Sequence, residues 1–214
     1  MTNSTDSTYI AHYVNRQLNM FFDQNEDVSP YLDACLERVI GCFEVTKNKY
    51  YKEFSLFHSG QYSIFLYYLA NTTYKSGNEK LATLLYYMNK ILHSVDWFYQ
   101  IELPEYFGVE HPLGCVLGRA KYNNGFFAYQ GCTVGGNKGM YPELGKNVIM
   151  YSNSSILGNS HIGNNVLIST GTTVKDQDVG DNCLVFGASP NLIIKEKSEA
   201  YISNILSNFW ETDN

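Results

Sequence analysis

The sequence has no apolar run long enough to cross a membrane, no excess of positive charge and no closely spaced pair of cysteines. Its longest apolar stretch, IFLYYLA at 64–70, is far shorter than the ~20 residues of a membrane-spanning helix. The 214 residues carry a formal net charge of −6, whereas nucleic acids and anionic membranes attract basic surfaces. We therefore expect no membrane span and no nucleic-acid partner.

The five cysteines are scattered and form no CxxC motif. Such a pattern is typical of reduced core thiols in a cytoplasmic protein, and it suggests no metal site. The first residues, MTNSTDST, are polar and lack the apolar segment of a signal peptide. A cytoplasmic protein without a bound metal is the expectation.

Up to about residue 100 the apolar residues recur at the spacing of a helix. In YIAHYVNRQLNMFF, for example, Ile10, Val14 and Leu18 lie on one face. Ser29 and Ser59 are candidate helix caps before the segments PYLDACLERVIGCF and GQYSIFLYYLANTTYK, and a further amphipathic helix follows in NEKLATLLYYMNKILH. The first hundred residues are thus predicted to form an α-helical domain.

From about residue 108 a period of six replaces the helical period. The segment LGKNVI-MYSNSS-ILGNSH-IGNNVL-ISTGTT opens every hexad with an aliphatic residue and has a small or β-branched residue in fifth place. The opening residues are Leu144, Met150, Ile156, Ile162, Ile168 and Val174, with Val116, Tyr122, Ala128 and Val134 upstream and, after a slip of one residue, Val179 and Val185 downstream. A short fixed period with Gly and Asn at turns is typical of a parallel β-helix, whereas a sandwich of short strands would not explain it.

Three segments resemble the hexapeptide-repeat acyltransferases, and within them the serine acetyltransferases. HPLGCVLGRA at 111–120 resembles the stretch around that family's catalytic histidine, YQGCTVGGN at 129–137 is similar to its segment ending in T-L/I-G-G, and YQIELP at 99–104 resembles the segment with the acid paired to the histidine. The resemblance implies acetyl-coenzyme A as co-substrate and a homotrimer, or a multiple of trimers, with active sites between subunits.

The fold class that follows is α+β, with an N-terminal α-helical domain followed by a left-handed parallel β-helix of hexapeptide repeats. The handedness is implied by the resemblance, since ordinary crossover connections are right-handed. We predict the helical domain at 1–100, the β-helix acyltransferase domain at 101–190 and a C-terminal tail at 191–214.

His111 is the candidate catalytic base. Acetyl transfer from a thioester to a hydroxyl needs a base, and histidine is suited to that task near neutral pH. Glu102 is the candidate acid that orients the ring, and Glu110 is a candidate for binding the acceptor. In a regular strand Glu110 and His111 would face opposite sides, so a shared groove requires a turn between them. The alternative is a surface histidine at a corner of a coil.

The loop VGGNKGMYPEL interrupts the hexads between Val134 and Leu144 and frames a candidate acceptor site. The family has R-H-P here, with the arginine and histidine on the carboxylate side of serine, whereas this chain has Met140-Tyr141-Pro142. The lost cation predicts a sugar acceptor, in surface polysaccharide assembly, on which Tyr141 could stack. Lys138, two residues from Met140, is the candidate substitute cation if the acceptor is L-serine. Phe126, Phe127 and Tyr129 are candidates to stack on such a sugar or, alternatively, are filler of the core.

Two other functions stay open on the sequence: a serine O-acetyltransferase of cysteine biosynthesis, and a β-helix that serves only as a binding or scaffold subunit. The sequence does not decide between O- and N-acetylation. The resemblance places the donor along small residues, with cations for its diphosphate. The candidates are Gly135, Gly136, Ser152, Thr170 and Gly171, with Lys195 and Lys197 past the last hexad. The alternative for the glycines is that they only form turns.

Overall fold

The computed structural model describes residues 6–51 and 53–211. The N-terminal half contains α1 (Ser7–Phe22), α2 (Ser29–Glu44), a 3-10 turn at Lys49–Tyr51, α3 (Ser59–Lys75) and α4 (Glu79–His93). These helices are where the apolar spacing predicts them, but two caps differ. The cap of α2 is Val28, with Pro30 in the first turn, and that of α3 is His58, whose Nδ1 accepts a hydrogen bond from the Gln61 amide. Ser29 and Ser59 are therefore the first helical residues rather than the caps.

Helix α3 is the centre of the helical half, because it is buried on nearly every side. It packs between α2 and α4 and reaches the first coil of the solenoid, where the Tyr67 hydroxyl donates to the Ile101 carbonyl at 2.5 Å. At the end of α4, His93 is buried against the ring of Tyr62 and lies 2.7 Å from the Asn89 amide oxygen. Burial lowers the pKa of His93 to about 4, so this imidazole is neutral in the folded protein near pH 7.

The second half is a parallel β-solenoid of about five turns. Each turn passes through three faces, and neighbouring turns pair in parallel register. The strands are β1 (Asp96–Trp97), β2 (Phe107–Glu110), β3 (Val116–Leu117), β4 (Phe126–Tyr129), β5 (Thr133–Gly135), β6 (Glu143–Leu144), β7 (Ile149–Met150), β8 (Ser155–Leu157), β9 (His161–Ile162), β10 (Leu167–Ile168), β11 (Thr173–Lys175), β12 (Cys183–Phe186) and β13 (Ile193–Glu196). The predicted fold class is confirmed.

The hexad register is visible as a buried column inside the solenoid. All the residues that open the hexads from Leu144 to Val174 are buried. In the second coil the predicted register is wrong by one residue, because Val116 is 37% exposed while Leu117 is buried and pairs with Val134. Leu117 and Val134 are 17 positions apart, one fewer than three hexads, so counting back from Val134 in strict sixes misses the buried residue.

One corner of the solenoid is held by a ladder of asparagines. The side-chain amide of Asn147 donates to Asn165, and that of Asn165 donates to Asn182, each at 3.0 Å. All three have left-handed backbone, with φ between 55° and 58°, and asparagine tolerates that conformation better than most residues. The turn residues of the hexads therefore supply both the backbone geometry and the hydrogen bonds between coils.

The two halves share one hydrophobic core, and the solenoid begins before the predicted boundary at residue 100. Asp96, in β1, accepts hydrogen bonds from the Tyr86 hydroxyl and the Lys90 ammonium of α4. Burial raises the pKa of Asp96, but the bonds from Lys90 and Tyr86 outweigh it and the net shift is downward. The placement of the domain boundaries themselves stays a prediction.

The predicted tail contains regular structure. After β13, which pairs antiparallel to β12, α5 (Glu199–Leu206) lies against the outer face of the solenoid. Residues from the tail and from three strands form a second apolar cluster, which comprises Phe127, Ile149, Leu167, Ile202, Leu206, Phe209 and Trp210. Within residues 6–51 and 53–211, no helix is both long and apolar enough to span a bilayer.

Candidate active site

One corner of the solenoid brings several predicted site residues into a single column. We call residues 111–115, 130–132, 151–154 and 169–172 the corner column; they follow β2, β4, β7 and β10 respectively. Backbone bonds join the levels: the Gly131 amide donates to Leu113, that of Asn153 to Gln130, and that of Gly171 to Ser152, at 2.9, 2.9 and 3.0 Å. At ~4.8 Å per coil, the column is on the order of 14 Å long from its first to its last level.

His111 begins the column, immediately after β2. Its backbone is left-handed, with φ of 49°, and this bend removes the constraint of a regular strand. The His111 side chain is 76% exposed, and its Nε2 lies 3.9 Å from Glu110 Oε1. The turn that a shared groove requires is therefore present, and Glu110 and His111 are side by side.

Glu102 does not occupy the position expected of it. Its carboxylate pairs with the Lys75 ammonium of α3 at 2.7 Å, and both side chains are at least half exposed. The carboxylate that the structure places beside His111 is that of Glu110. The reason is local: Glu102 lies in the connection between β1 and β2, next to α3, whereas Glu110 directly precedes the bend.

Two further side chains approach this pair. Tyr129 is the register partner of Glu110 on the next coil, and its pKa is raised by burial and by the adjacent Glu110 carboxylate. His58 lies near His111. Its pKa is lowered mainly by burial and, to a smaller extent, by the charge of the His111 imidazole. Since Nδ1 of His58 accepts from a backbone amide, its proton is on Nε2. Sequence reasoning missed His58 as a residue of this site. The signal that could have found it is its position immediately before α3.

The loop residues lie at a different corner from His111 in the same subunit. Tyr141 packs on Gly136, where an added Cβ would lie 2.7 Å from the tyrosine ring. Lys138 is close to Asp176, whose pKa is lowered by a bond from the Asn159 amide and further by Asn137, Lys175 and Lys138. Lys138 and Tyr141 therefore belong to one loop, and this loop is away from His111 of the same chain.

The predicted donor residues divide into three groups. Ser152, Thr170 and Gly171 lie in the corner column, on the levels beyond His111. Gly135 is open, its nearest non-neighbouring atom being 3.8 Å from an added Cβ, whereas Tyr141 covers Gly136. Lys195 is on β13, at the opposite end of the sheet from β2, with its ammonium 5.5 Å from the ring of Phe186. The column thus connects His111 with three of the predicted donor contacts.

The aromatic residues proposed to stack on a sugar are mostly core. Phe126 is fully buried in the solenoid, and Phe127 is covered by Phe209 and Trp210. Tyr129 alone is half-buried, and it stacks on Tyr151 with ring centroids 5.4 Å apart and an interplanar angle of 11°. Phe126 thus fills the interior of the solenoid, whereas Phe127 belongs to the apolar cluster on its outer face, beneath the end of the chain.

A cleft of about 270 Å³ opens beside Glu110. The side chains lining it carry one carboxylate, two amides, a phenol and two phenyl rings, and none of them is cationic. They are those of Asn48, Glu110, Phe127, Tyr129, Asn208 and Phe209. Throughout 6–51 and 53–211, no three His, Cys, Asp or Glu side chains are grouped so that they could hold a metal ion.

The chain is similar to serine acetyltransferases in sequence and in fold. No protein-family model matches the chain. It is 27% identical to the serine acetyltransferase of Synechococcus elongatus over 148 residues, 67% of this chain and 60% of that protein. The structure superposes on the serine acetyltransferase of Neisseria gonorrhoeae in complex with serine with a TM-score of 0.70, at 23% identity, covering 90% of this chain and 84% of that one. A serine acetyltransferase in complex with CoA gives a TM-score of 0.65 at 17% identity, covering 78% and 72%.

The fold is that of these serine acetyltransferase structures, with N-terminal helices followed by a parallel β-solenoid. The predicted resemblance to the serine acetyltransferase-like family is confirmed by the sequence relatives and the structural neighbours. The matched region spans about three fifths of the Synechococcus relative.

Proposed function

We propose that this protein is an acetyl-coenzyme A-dependent O-acetyltransferase with His111 as its general base. The observation that carries the proposal is the placement of the His111–Glu110 pair at the first level of the corner column, with Ser152, Thr170 and Gly171 on the later levels. The exposed imidazole is accessible to an acceptor from one side and to a thioester lying along the column from the other.

The reaction requires one proton transfer in each direction. His111 takes the proton of the acceptor hydroxyl as its oxygen attacks the acetyl carbonyl carbon. The carbon–sulfur bond then breaks, and the imidazolium returns the proton to the departing thiolate. Glu110 stabilises the imidazolium that forms between these two events, because its carboxylate is 3.9 Å from Nε2. In this proposal Glu110 takes the orienting role first predicted for Glu102.

We propose L-serine as the acceptor. The relatives named above are serine acetyltransferases, and one of the structural neighbours was solved in complex with serine. These findings favour the serine alternative over the sugar acceptor and the role in polysaccharide assembly that the sequence analysis preferred. The observation behind the sugar prediction remains: Met140 and Tyr141 supply no cation for a carboxylate.

The acetyl donor and the oligomeric state are proposed in the same way. A neighbour in complex with CoA supports acetyl-coenzyme A as the donor. We propose that its thioester end lies along the column, and Lys195 and Lys197 stay predicted contacts of its diphosphate. A homotrimer would place the loop of one subunit, with Lys138 and Tyr141, against His111 of another. Light scattering that finds a monomer retaining full activity would contradict the trimer. The cytoplasmic location stays a prediction.

The function is tested by an acceptor panel. Purified protein is incubated with acetyl-coenzyme A and L-serine, glucosamine or a neutral monosaccharide, and free thiol release is followed. We expect kcat/KM for L-serine of about 10⁴ M⁻¹s⁻¹ or above, the low end for a dedicated enzyme. In His111→Ala thiol release should fall sharply, and His161→Ala is its matched control, since His161 is an exposed histidine on strand β9, paired with Asp178. Turnover of a sugar in preference to L-serine would overturn the acceptor but not the reaction class.

A further inference from the structure

The C-terminal segment that follows α5 is fixed to both halves of the molecule. The Lys47 amide donates to the Phe209 carbonyl at 3.0 Å, and the Glu211 amide donates to Val45 at 2.8 Å. On the other side, the Phe209 ring meets Phe127 of β4, with centroids 4.9 Å apart. The segment 207–211 therefore bridges the connection after α2 and the outer face of the solenoid.

This bridge closes one side of the cleft beside Glu110. Asn208 and Phe209 line the cleft together with Glu110 and Tyr129, and the Phe209 ring is 6.5 Å, centroid to centroid, from both Tyr129 and Tyr151. Phe209 is buried, so its ring is held by its neighbours rather than free to swing away. The walls come from the helical half, the first coils and the end of the chain.

The position of the cleft separates it from the donor column. The column runs from His111 through the later coils, whereas the cleft begins at Glu110 and extends over the outer face of β2 and β4 toward Asn48. The two meet at the Glu110–His111 pair, since Glu110 lines the cleft and His111, 3.9 Å from it, begins the column. A volume of about 270 Å³ is at or just below the range of sites for drug-sized ligands, so it fits a molecule of the size of an amino acid or a monosaccharide.

We propose that Phe209, with Asn208, is the wall of the acceptor site that limits the size of the acceptor. This inference rests on the proposed O-acetyltransferase function. A free amino acid fits between Phe209 and Glu110. A peptide or oligosaccharide that carries the same hydroxyl is too large, because the Phe209 ring is held in place. The end of the chain is therefore a specificity element as well as a structural brace.

The test uses the full-length protein and a pair of acceptors that differ in size. L-Serine and the dipeptide seryl-glycine are compared in wild type, Phe209→Ala and Tyr201→Ala, with kcat and KM determined for each acceptor and for acetyl-coenzyme A. Tyr201 is the matched control, because it is an aromatic residue of the preceding helix α5 that is 48% exposed and outside the cleft. Melting temperatures establish that each variant is folded.

In Phe209→Ala we expect the preference for L-serine over seryl-glycine to fall about tenfold, through a higher KM for L-serine and a lower one for the dipeptide. The KM for acetyl-coenzyme A stays within twofold, and Tyr201→Ala matches wild type. If Phe209→Ala does not fold, Phe209→Leu keeps an apolar wall of smaller size and is expected to shift the preference in the same direction by a smaller factor.

An unchanged preference in a folded Phe209 variant would overturn the wall while leaving the proposed function intact. An equal loss with all acceptors and with acetyl-coenzyme A would also overturn it, since that result indicates only a structural role. A wild-type protein that acetylates no hydroxyl acceptor would overturn the proposed function, and the wall with it.

Discussion

The helical half and the solenoid differ in where their backbone departs from regular conformation. Outside the solenoid, the described non-glycine residues with positive φ are Asp23 and Ser94, each ending a helix. In the solenoid they recur at the corners, and they are His111, Lys138, Asn147, Asn153, Asn165, Asp176 and Asn182. A helix buries its side chains without such corners, whereas each coil of a solenoid needs several.

The corner residues differ in how well they suit the left-handed conformation. Asparagine and aspartate suit the left-handed conformation, and in the ladder they also bond the coils together. His111 and Lys138 adopt the same conformation outside the ladder, and lysine, unlike asparagine, aspartate and histidine, is not enriched there. A residue held at positive φ without a ladder role is a candidate for function, and His111 is the one that begins the corner column, beside Glu110.

The largest effect is expected at His111. His111→Asn keeps a residue that favours the left-handed turn but removes the base, so kcat should fall by roughly 10²- to 10⁴-fold. The melting temperature should not fall, because asparagine suits this backbone and the side chain is exposed. Thiol release and thermal unfolding are measured on the same preparation. A variant with kcat within a few-fold of wild type would show that another residue is the base.

The second prediction concerns acid stability in the helical half. Because the folded-state pKa of His93 is lowered to about 4, the unfolded chain binds a proton below pH ~6.5 that the folded chain does not bind until about pH 4. This residue's share of stability is thus present above pH ~6.5 and is lost as the pH falls toward 4. Between pH 7.5 and pH 5 the free energy of unfolding should fall by about 2 kcal/mol on account of His93.

Urea unfolding at the two pH values checks this expectation. His93→Gln should remove most of that difference, and His12→Gln, at an exposed histidine of α1, is the matched control for loss of an imidazole. The same pH dependence in wild type and His93→Gln would mean that acid stability is set elsewhere.

A smaller effect is expected from the asparagine ladder. Asn165→Ala leaves a left-handed residue without its side-chain bonds to Asn147 and Asn182, which should lower the free energy of unfolding by about 1.5 kcal/mol. Asp23→Ala is the matched comparison, since Asp23 has a similar φ of 51° at the end of α1 but no ladder. Equal losses in chemical denaturation would show that the backbone alone accounts for the cost and the ladder adds nothing.

The sequence predicted much of this molecule because both halves have a period. The spacing of Ile10, Val14 and Leu18 predicted α1, and the hexads from Leu144 to Val174 predicted the buried column. The misses fall where the period breaks. Leu117 replaces Val116 in the second coil, where the spacing departs from strict sixes.

The site was predictable in part for a related reason. His111 was identified from its local motif, and local order also explains why Glu110 is its neighbour. The Glu102–Lys75 pair depends on how α3 packs against the first coil, and the contribution of Phe209 depends on where the end of the chain returns. Neither follows from a repeat, because both are long-range contacts between unlike elements.

The most direct test of the account is a comparison of the two acids in one assay. Glu110→Gln and Glu102→Gln are measured for kcat with acetyl-coenzyme A and L-serine, and their melting temperatures are recorded. The account predicts that Glu110→Gln lowers kcat by roughly 10- to 100-fold, because the imidazolium loses its adjacent carboxylate, while Glu102→Gln stays within twofold, because it loses only an exposed ion pair with Lys75. A large loss in Glu102→Gln with Glu110→Gln near wild type would contradict the assignment of the site.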